Sequence, residues 1–416
     1  MNAAPMAWDI HRARLKRIAD ILAIGLVVVL PWSTSLTWIL LGLWLAALLP
    51  TLTLADLRRE LMTPACGFPV LLWLLAAIGM LWADIPWRER FDGLGGFHKL
   101  LMFPFLIAQF RRSESGMRVV AGFFASMMLV LVVSWTLALA PGLPWRGDPV
   151  GVPIRDYIWQ SGAFLLCAFA LLGVAVDLWP GPRRRSAVML AALIVALLAN
   201  IAFVATGRTT LVVATVFFAV FGFWWFSWKR AIAVIVVGAL IGVALSASSQ
   251  YLRDRLTATA SELDDYQAKN LPTSAGLRLE YITKSVNFIM AAPVIGHGTG
   301  STEDLFRRAA TGEEGASAHT SVNPHNQILA VGTQLGIAGA IVLSAMWIAH
   351  LMLFRGGGLV GWFGTLVVVQ NIVASLFNSH LVDFTQGWIY VFGVGVLGGM
   401  ALRRADASPG ATVQTR

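Results

Sequence analysis

The sequence predicts an all-α fold, a polytopic bundle of transmembrane helices, and three observations support this prediction. Hydrophobic residues make up 57% of the 416 residues and charged residues only 13%, and the mean hydropathy is positive. Long stretches lack ionisable side chains, and residues 186–228 contain a single one, Arg208. The basic residues are clustered between these stretches. Together these properties are typical of a protein that crosses a membrane many times.

About twelve apolar stretches are predicted as spanning helices. In chain order they are residues 21–30, 38–49, 69–82, 100–110, 119–139, 157–176, 188–205, 211–226, 231–247, 328–353, 359–377 and 387–402. The first two are short and share a polar hinge at residues 31–37. The basic N-terminus and first apolar run resemble a signal peptide, but a second apolar run follows directly, so we interpret them as an uncleaved first span.

The distribution of basic residues predicts the orientation. Eighteen of the 31 Lys and Arg residues fall on the N-terminal side of the membrane, against six in short loops on the opposite side. The positive-inside rule therefore places both termini in the cytoplasm. The net charge of +9 is mostly a topology signal, and a nucleic-acid partner is set aside.

We expect one membrane domain, residues 1–416, with an external segment at residues 248–322 and a flexible cytoplasmic tail at residues 405–416. The external segment lies between the ninth and tenth spans and has a polar composition. Two cysteines, Cys66 and Cys167, offer neither a disulfide framework nor a metal site, and are predicted to be packing residues.

Arg208 interrupts the apolar pattern at an external turn between two spans. Gly207 is expected to end the first helix and Thr209 or Thr210 to begin the next, which puts Arg208 beside a helix N-terminus. Backbone N–H groups and a guanidinium together form an anion site. The alternative is an arginine that anchors the span at the lipid headgroups.

A second arginine, Arg278, opens an amphipathic helix predicted at residues 276–291 within the external segment. It is a second candidate anion ligand, or else forms a surface ion pair with Glu280 or Asp254. The helix ends at Pro293, and a glycine-rich turn follows at residues 296–301, whose backbone could approach a ligand closely.

His325 precedes the tenth span. With Asn323 as N-cap and Pro324 as first helical residue, His325 is predicted in the first turn of that helix. The helix dipole there favours the neutral imidazole, which suits a general base. The alternative is a histidine that merely caps the helix or binds at headgroup level.

Three motifs resemble the O-antigen ligase and O-antigen polymerase superfamily, and most closely the ligases. The residues that carry the resemblance are Arg208 after its Thr-Gly turn, then Arg278 with Pro293, Gly296, Gly298, Gly300 and Ser301, then His325 with Asn326, Leu329, Gly336 and Gly339. The resemblance covers about the C-terminal half of the chain. Many relatives carry an acidic residue where this chain has Gln334.

The resemblance implies a fold similar to that of C-type glycosyltransferases and an enzyme of the bacterial inner membrane with a periplasmic active site. It implies transfer of O-antigen from undecaprenyl pyrophosphate to lipid A-core oligosaccharide. In this reading Arg208 and Arg278 bind the pyrophosphate and His325 is the base for a single inverting displacement. The supporting residues are Asn326, Gly298 and Gly300.

Two further expectations concern metal and acceptor. No carboxylate-rich metal motif is evident, so we expect a metal-independent enzyme without a cofactor. Phosphates of the acceptor are predicted to meet basic residues on the external side, although anchoring to membrane lipids explains those residues nearly as well. They are Arg88, Arg90, Arg146 and Arg155.

Other functions remain open at this point. An O-antigen polymerase is the first alternative, and a protein O-oligosaccharyltransferase, whose members usually carry more C-terminal sequence, is the next. A transporter of lipid-linked glycans belongs to another class. It would predict ionisable groups at mid-membrane and inverted repeats, whereas the candidates here gather at one face.

Overall fold

A computed structural model describes residues 7–143, 145 and 150–407, and within these ranges every regular element is helical. The first eight α-helices are α1 (Ala7–Val29), α2 (Thr34–Leu48), α3 (Leu54–Leu61), α4 (Pro64–Gly79), α5 (Trp87–Gly95), α6 (Met102–Phe110), α7 (Gly116–Leu139) and α8 (Tyr157–Leu178). The other nine are α9 (Arg184–Phe203), α10 (Arg208–Trp225), α11 (Trp228–Ser248), α12 (Gln250–Lys269), α13 (Ser274–Ala291), α14 (Thr302–Arg308), α15 (Gln327–Leu353), α16 (Gly358–Ala374) and α17 (Phe384–Ala407). Short 3-10 helices at Leu49–Thr51 and His98–Leu101 complete the described elements.

Each of the twelve predicted apolar stretches overlaps one of these helices, so the all-α prediction is confirmed for the described residues. Among those residues, seven helices are long and apolar enough to cross a membrane, or eight if α3 and α4 form one bent span. The shorter apolar helices include α16 and the segment His98–Phe110. A total of twelve spans therefore stays a prediction, as does the extent of the tail, most of which lies outside the described residues.

Two helices, α8 and α17, form the centre of the bundle. Their most apolar 18-residue stretches are 72% and 78% buried, against 28% in both α9 and α10. Around them the pairs α8 with α9, α6 with α17 and α4 with α15 pack along their lengths. Large aromatic side chains fill the core, among them Trp362, Trp388 and Phe164. The outer helices expose apolar side chains such as Met189 and Val195, as a lipid-facing surface requires.

The two ends of the bundle differ in chemistry. At the basic end, Arg111 forms ion pairs with Glu60 (3.2 Å) and Asp406 (2.7 Å), and Arg112 pairs with Asp56 (3.1 Å). These arginines are among those that the positive-inside rule assigns to one side. The other end, called the site end here, carries the turn at residues 204–207, helices α12 to α14 and the loop at residues 375–383.

α15 is interrupted in its middle, and the loop that follows α13 packs into the interruption. Gly336 has φ of +63° and ψ of −161°, so the helix is interrupted there. The loop at residues 293–298 occupies the gap: its N–H groups at His297 and Gly298 donate to the carbonyls of residues 333 and 334 (3.0 and 2.9 Å). In return, Ile337 N donates to Pro293 O (2.8 Å) and Ala338 N to Val294 O (3.2 Å). We call residues 293–298 and 333–338 the glycine joint.

Candidate active site

Arg208 is the first residue of α10, so its predicted place beside a helix N-terminus is confirmed. Gly207, however, is the N-cap of α10, because α9 already ends at Phe203. The reason is packing against α8. The Gly207 N–H donates to Ser161 Oγ (3.2 Å), and a Cβ on Gly207 would come within 2.8 Å of the same oxygen. The turn that carries Arg208 is thereby fixed to the core of the bundle.

Glu262, on α12, binds the Arg208 guanidinium through both carboxylate oxygens. Arg208 Nη1 donates to Oε2 (3.0 Å) and Nη2 to Oε1 (2.6 Å), and Ala275 N also donates to Oε2 (2.9 Å). The hydrogen bond from Arg208, followed by that from Ala275 N, lowers the pKa of Glu262 although burial opposes the change. The anion that Arg208 binds in this structure is therefore the carboxylate of Glu262.

Arg278 lies in the second turn of α13 rather than at its start, because Thr273 is the N-cap and the helix begins at Ser274. Its guanidinium is partly buried, and among the described residues it forms neither a hydrogen bond nor an ion pair. Burial lowers its pKa first, and the positive charge of Arg208 lowers it further. Two cations are therefore held close together, with the carboxylate of Glu262 as the compensating charge.

The surface ion pair considered for Arg278 is not formed within the described residues. The carboxylate of Glu280 instead pairs with Lys284 (3.1 Å), one helical turn further on, and accepts from the Tyr266 hydroxyl (2.7 Å). The other candidate, Asp254, is exposed and makes no ion pair there either. Arg278 remains available to an external anion.

His325 lies outside α15, and its predicted position in the first turn of that helix is wrong. Asn326 is the N-cap, accepting from Ile328 N (2.9 Å) and Leu329 N (3.1 Å). Asn323 is engaged differently: its Oδ1 accepts from His325 N (2.8 Å), which closes a turn and leaves His325 with φ of +54°. His325 is thus held in a left-handed conformation immediately before the cap.

The imidazole of His325 has defined neighbours on two sides. Its ring is stacked against that of Tyr281 on α13, with centroids 5.9 Å apart and planes at 17°. Its Nδ1 lies 3.2 Å from Asn378 Oδ1. That oxygen is an acceptor, because it also receives hydrogen bonds from Ser379 N (2.9 Å) and Asn323 Nδ2 (2.9 Å). Nδ1 must therefore carry the proton, which leaves the lone pair on Nε2.

Burial lowers the pKa of His325, the charge of Arg278 lowers it further, and the hydrogen bond with Asn378 only partly opposes these effects. The charge of Arg208 likewise lowers the pKa of Arg278, so Arg278 is near enough to interact electrostatically with both Arg208 and His325. The three candidate residues, predicted from distant parts of the sequence, are brought together at the site end.

The glycines of the turn at residues 296–301 allow close packing inside the protein. A Cβ on Gly298 would come within 2.5 Å of Ala83 Cα, and one on Gly300 within 3.0 Å of the Glu89 carbonyl carbon. Both glycines have positive φ. Their absent side chains let the turn pack against the segment between α4 and α5 and against the first turn of α5.

Comparison with known proteins gives a family for the part of the chain that holds the site. Residues 193–344 match the O-antigen ligase family, and this range includes Arg208, Arg278, His325 and the glycine joint. This match supports the resemblance of the segment to the O-antigen ligase and polymerase superfamily. A search of curated proteins finds none that matches the chain.

Gln334 stands where many superfamily members carry an acidic residue, and it has a structural role in this chain. Its Oε1 accepts from Gly300 N (2.8 Å) and its Nε2 donates to Ala330 O (2.9 Å). The amide therefore ties the glycine turn to α15, and a carboxylate could accept the first bond but not donate the second.

The predicted acceptor-binding arginines differ in their surroundings. Arg90 donates to Met80 O (2.7 Å) and Ile85 O (2.8 Å) and so closes the turn before α5. Arg155 donates to Pro31 O (3.3 Å), and Arg88 is exposed. Arg146 lies outside the described residues. Binding of acceptor phosphates by these arginines stays a prediction.

Three partners of the site were not identified from the sequence: Glu262, Asn378 and the stacking role of Tyr281. Tyr281 follows Arg278 by three residues, so the helical period places both on one face of α13. The spacing of Arg278 and Tyr281 in the sequence was therefore sufficient to predict that Tyr281 lies near the site. Nothing in the local sequence distinguishes Glu262 or Asn378 from the other polar residues of their segments.

Proposed function

We propose that this protein is a glycosyltransferase of the O-antigen ligase type. It transfers O-antigen from undecaprenyl pyrophosphate to lipid A-core oligosaccharide at the periplasmic face of the bacterial inner membrane. The observation that carries the proposal is the meeting of Arg208, Arg278 and His325 at one end of an apolar helical bundle, inside the segment that matches the O-antigen ligase family.

The arginines stabilise the leaving group. As the bond between the sugar and the pyrophosphate breaks, negative charge grows on the phosphate oxygens, and cations fixed beside them stabilise the transition state more than the ground state. Guanidinium groups suit this task because they bind phosphate through two parallel hydrogen bonds. Arg278 has no competing ion pair among the described residues, and Arg208 already binds a carboxylate in the required two-pronged manner.

His325 removes the proton from the acceptor. Its Nε2 accepts the proton of an acceptor hydroxyl, the hydroxyl oxygen attacks the anomeric carbon, and the bond from that carbon to the pyrophosphate oxygen breaks. The product is a new glycosidic bond of inverted configuration, undecaprenyl pyrophosphate and a protonated His325. Asn378 orients the ring through Nδ1, and burial together with the charge of Arg278 favours the neutral imidazole in the resting enzyme.

Donor binding requires a change at Glu262, since its carboxylate lies where a phosphate would bind Arg208. A pyrophosphate carries more negative charge than a carboxylate and can contact both arginines at once. We therefore propose that the donor displaces Glu262 from Arg208, while Ala275 N and Arg278 remain near the displaced carboxylate.

A deletion strain separates ligation from polymerisation. If the protein is the ligase, the strain accumulates lipid-linked polymer while lipid A-core stays bare. Core that bears only a single repeat unit would instead identify an O-antigen polymerase. Complementation with His325→Ala, checked for normal membrane abundance, controls for indirect effects of the deletion.

A further inference from the structure

A cavity lies beside the His325 loop, on the side formed by Asn323 and Pro324. Its volume is about 390 Å³, within the range of about 300–1,000 Å³ that is usual for ligand pockets. Asn323 connects it to the site, since its Oδ1 accepts the backbone N–H of His325. Residues from α5, α14, α15 and the loop at residues 375–383 complete the wall.

Three carboxylates line this cavity: Glu89, Asp92 and Glu303. Among the described residues none of them forms an ion pair or a side-chain hydrogen bond. Asp92 and Glu303 are exposed, so they lie at the mouth. Uncompensated carboxylates repel phosphate, whereas they accept hydrogen bonds readily from hydroxyl groups. Within the described chain, no group of three or more potential metal ligands is arranged to hold an ion.

Two residues that line the cavity each have a buried donor without a partner among the described residues. Gln327 is fully buried and Thr302 is 5% exposed, and both line the cavity. Gln327 Oε1 accepts from Leu381 N (2.8 Å), which fixes the amide, but its Nε2 has no partner, and neither does Thr302 Oγ1. Since a buried donor without a partner is unfavourable, these two donors indicate a ligand that accepts hydrogen bonds.

Apolar surface is present as well. The buried ring of Phe97 and the side chains of Val322 and Val382 line the same cavity. The three carboxylates, the two donors without partners and the apolar side chains together match a molecule with many hydroxyl groups and apolar C–H faces.

We infer that this cavity binds an uncharged sugar residue of one of the two substrates, next to the point of transfer. The inference rests on the proposed function for the identity of those substrates. It divides the site end by charge: the arginines of α10 and α13 bind the pyrophosphate, and the carboxylate-lined cavity excludes phosphate and binds hydroxyl groups.

Binding of free oligosaccharides tests the inference independently of transfer. The full-length protein in lipid nanodiscs is titrated, by saturation-transfer NMR, with two dephosphorylated oligosaccharides, one released from the lipid-linked donor and one from lipid A-core. We expect one of them to bind. Glu89→Gln and Thr302→Val should each raise its Kd on the order of tenfold, because the first replaces a charged acceptor with a weaker neutral one and the second removes one hydrogen bond to the sugar. The control Glu313→Gln removes an exposed carboxylate that does not line the cavity, and should leave Kd unchanged.

The identity of the oligosaccharide that binds tells whether the cavity serves donor or acceptor. The inference is overturned if neither oligosaccharide binds the wild type, or if both cavity variants bind as the wild type does. Transfer between the intact substrates is measured on the same samples. A protein that binds sugar through Glu89 and Thr302 but transfers nothing would refute the proposed function and leave the sugar site standing.

Discussion

At the scale of single residues, the site keeps two arginines close to each other and a histidine neutral. Arg278 is partly buried and feels the charge of Arg208, while Arg208 is neutralised by Glu262. Such an arrangement is unfavourable without an anion, so it favours binding of a substrate with several negative charges. Three predictions follow from individual side chains.

The first prediction concerns the two arginines. Arg208→Ala and Arg278→Ala should each lower transfer by about tenfold to a hundredfold or more, because each removes charged hydrogen bonds of about 1.5–3 kcal/mol. Lysine should restore little activity, since it keeps the charge but loses the two-pronged geometry. Transfer is measured with purified variants of equal membrane abundance. Full activity of either alanine variant would remove that arginine from the site.

The second prediction concerns His325. Loss of a general base costs about a hundredfold to ten-thousandfold, so His325→Ala should lose transfer while it still binds the donor. The pKa of His325 is lowered, so the ring is neutral at pH 7 and wild-type activity should fall as the pH drops through that lowered pKa. The residual rate of the variant should lack this acidic limb.

Asn378 provides the matched test of the ring's orientation. Asn378→Ala removes the Nδ1 partner but keeps the base, so it should reduce kcat less than His325→Ala does and retain the acidic limb. Unchanged turnover in His325→Ala, or an unchanged acidic limb in that variant, would make the histidine structural.

The third prediction concerns Glu262. Glu262→Gln keeps an oxygen for Ala275 N but removes the negative charge that competes with the donor for Arg208. The KM for the lipid-linked donor should fall by up to about fivefold, since a solvent-exposed ion pair contributes up to about 1 kcal/mol. The control Glu280→Gln changes a carboxylate on α13 that pairs elsewhere. A higher donor KM in Glu262→Gln would mean that Glu262 positions Arg208 instead of competing with the donor.

The sequence was sufficient to predict Arg208, Arg278 and His325 as candidates because each stands at or near a predicted helix start. It was insufficient for Glu262 and Asn378. Both lie more than 50 residues from the side chains that they contact, in segments with many polar residues. Only the packing of α12 on α13, and of the loop after α16 on the start of α15, brings them to the site.

At the scale of elements, the glycine joint explains two motifs as one structure. Gly296 and Gly336 lie against each other: a Cβ on Gly296 would come within 2.6 Å of Gly336 N. The break in α15 frees backbone groups, and the loop after α13 satisfies them. Since Arg278 is on α13 and His325 directly precedes α15, the joint fixes the two helices that carry or position these residues.

A prediction for stability follows from this joint. Gly336→Ala should lower the unfolding temperature markedly, because its φ and ψ are accessible essentially only to glycine and a Cβ would contact Val294 O. The strain alone is about 1–3 kcal/mol. Gly42→Ala on α2 is the control, since a Cβ there meets nothing within 4 Å and alanine favours a helix. Equal unfolding temperatures of the two variants, measured by differential scanning fluorimetry, would contradict the structural role of the joint.

Helix starts were the least predictable feature of the elements. The sequence suggested Asn323 as the cap of α15, but Asn326 is the cap, since Asn323 is engaged by His325 N and Ser379 Oγ. Both asparagines are good caps by type. Tertiary contacts with the loop at residues 375–383 decide which asparagine is the cap. Those contacts cannot be predicted from the local sequence.

At the scale of the whole molecule, the apolar pattern predicted the helical bundle well. Every predicted span overlaps a helix, because an apolar stretch in lipid must satisfy its backbone internally. The pattern did not predict the 88° bend between α3 and α4 or the break at Gly336. These depend on partners from other helices rather than on hydropathy.

A prediction for the whole enzyme concerns metal ions. The proposed mechanism uses arginines to stabilise the pyrophosphate, so purified protein with lipid-linked donor and acceptor should transfer glycan unchanged in excess chelator. The assay compares rates with and without EDTA in the same nanodisc preparation. Loss of activity on chelation, restored by magnesium or manganese, would contradict a mechanism that relies on arginines alone.

The most direct test of the central claim is an experimental structure of the enzyme with its lipid-linked donor bound. We expect phosphate oxygens within hydrogen-bonding distance of both Arg208 and Arg278. The Glu262 carboxylate should be displaced from Arg208, and the anomeric carbon should lie on the side of His325 Nε2. A pyrophosphate bound away from both arginines, with the pair between Arg208 and Glu262 intact, would contradict this claim.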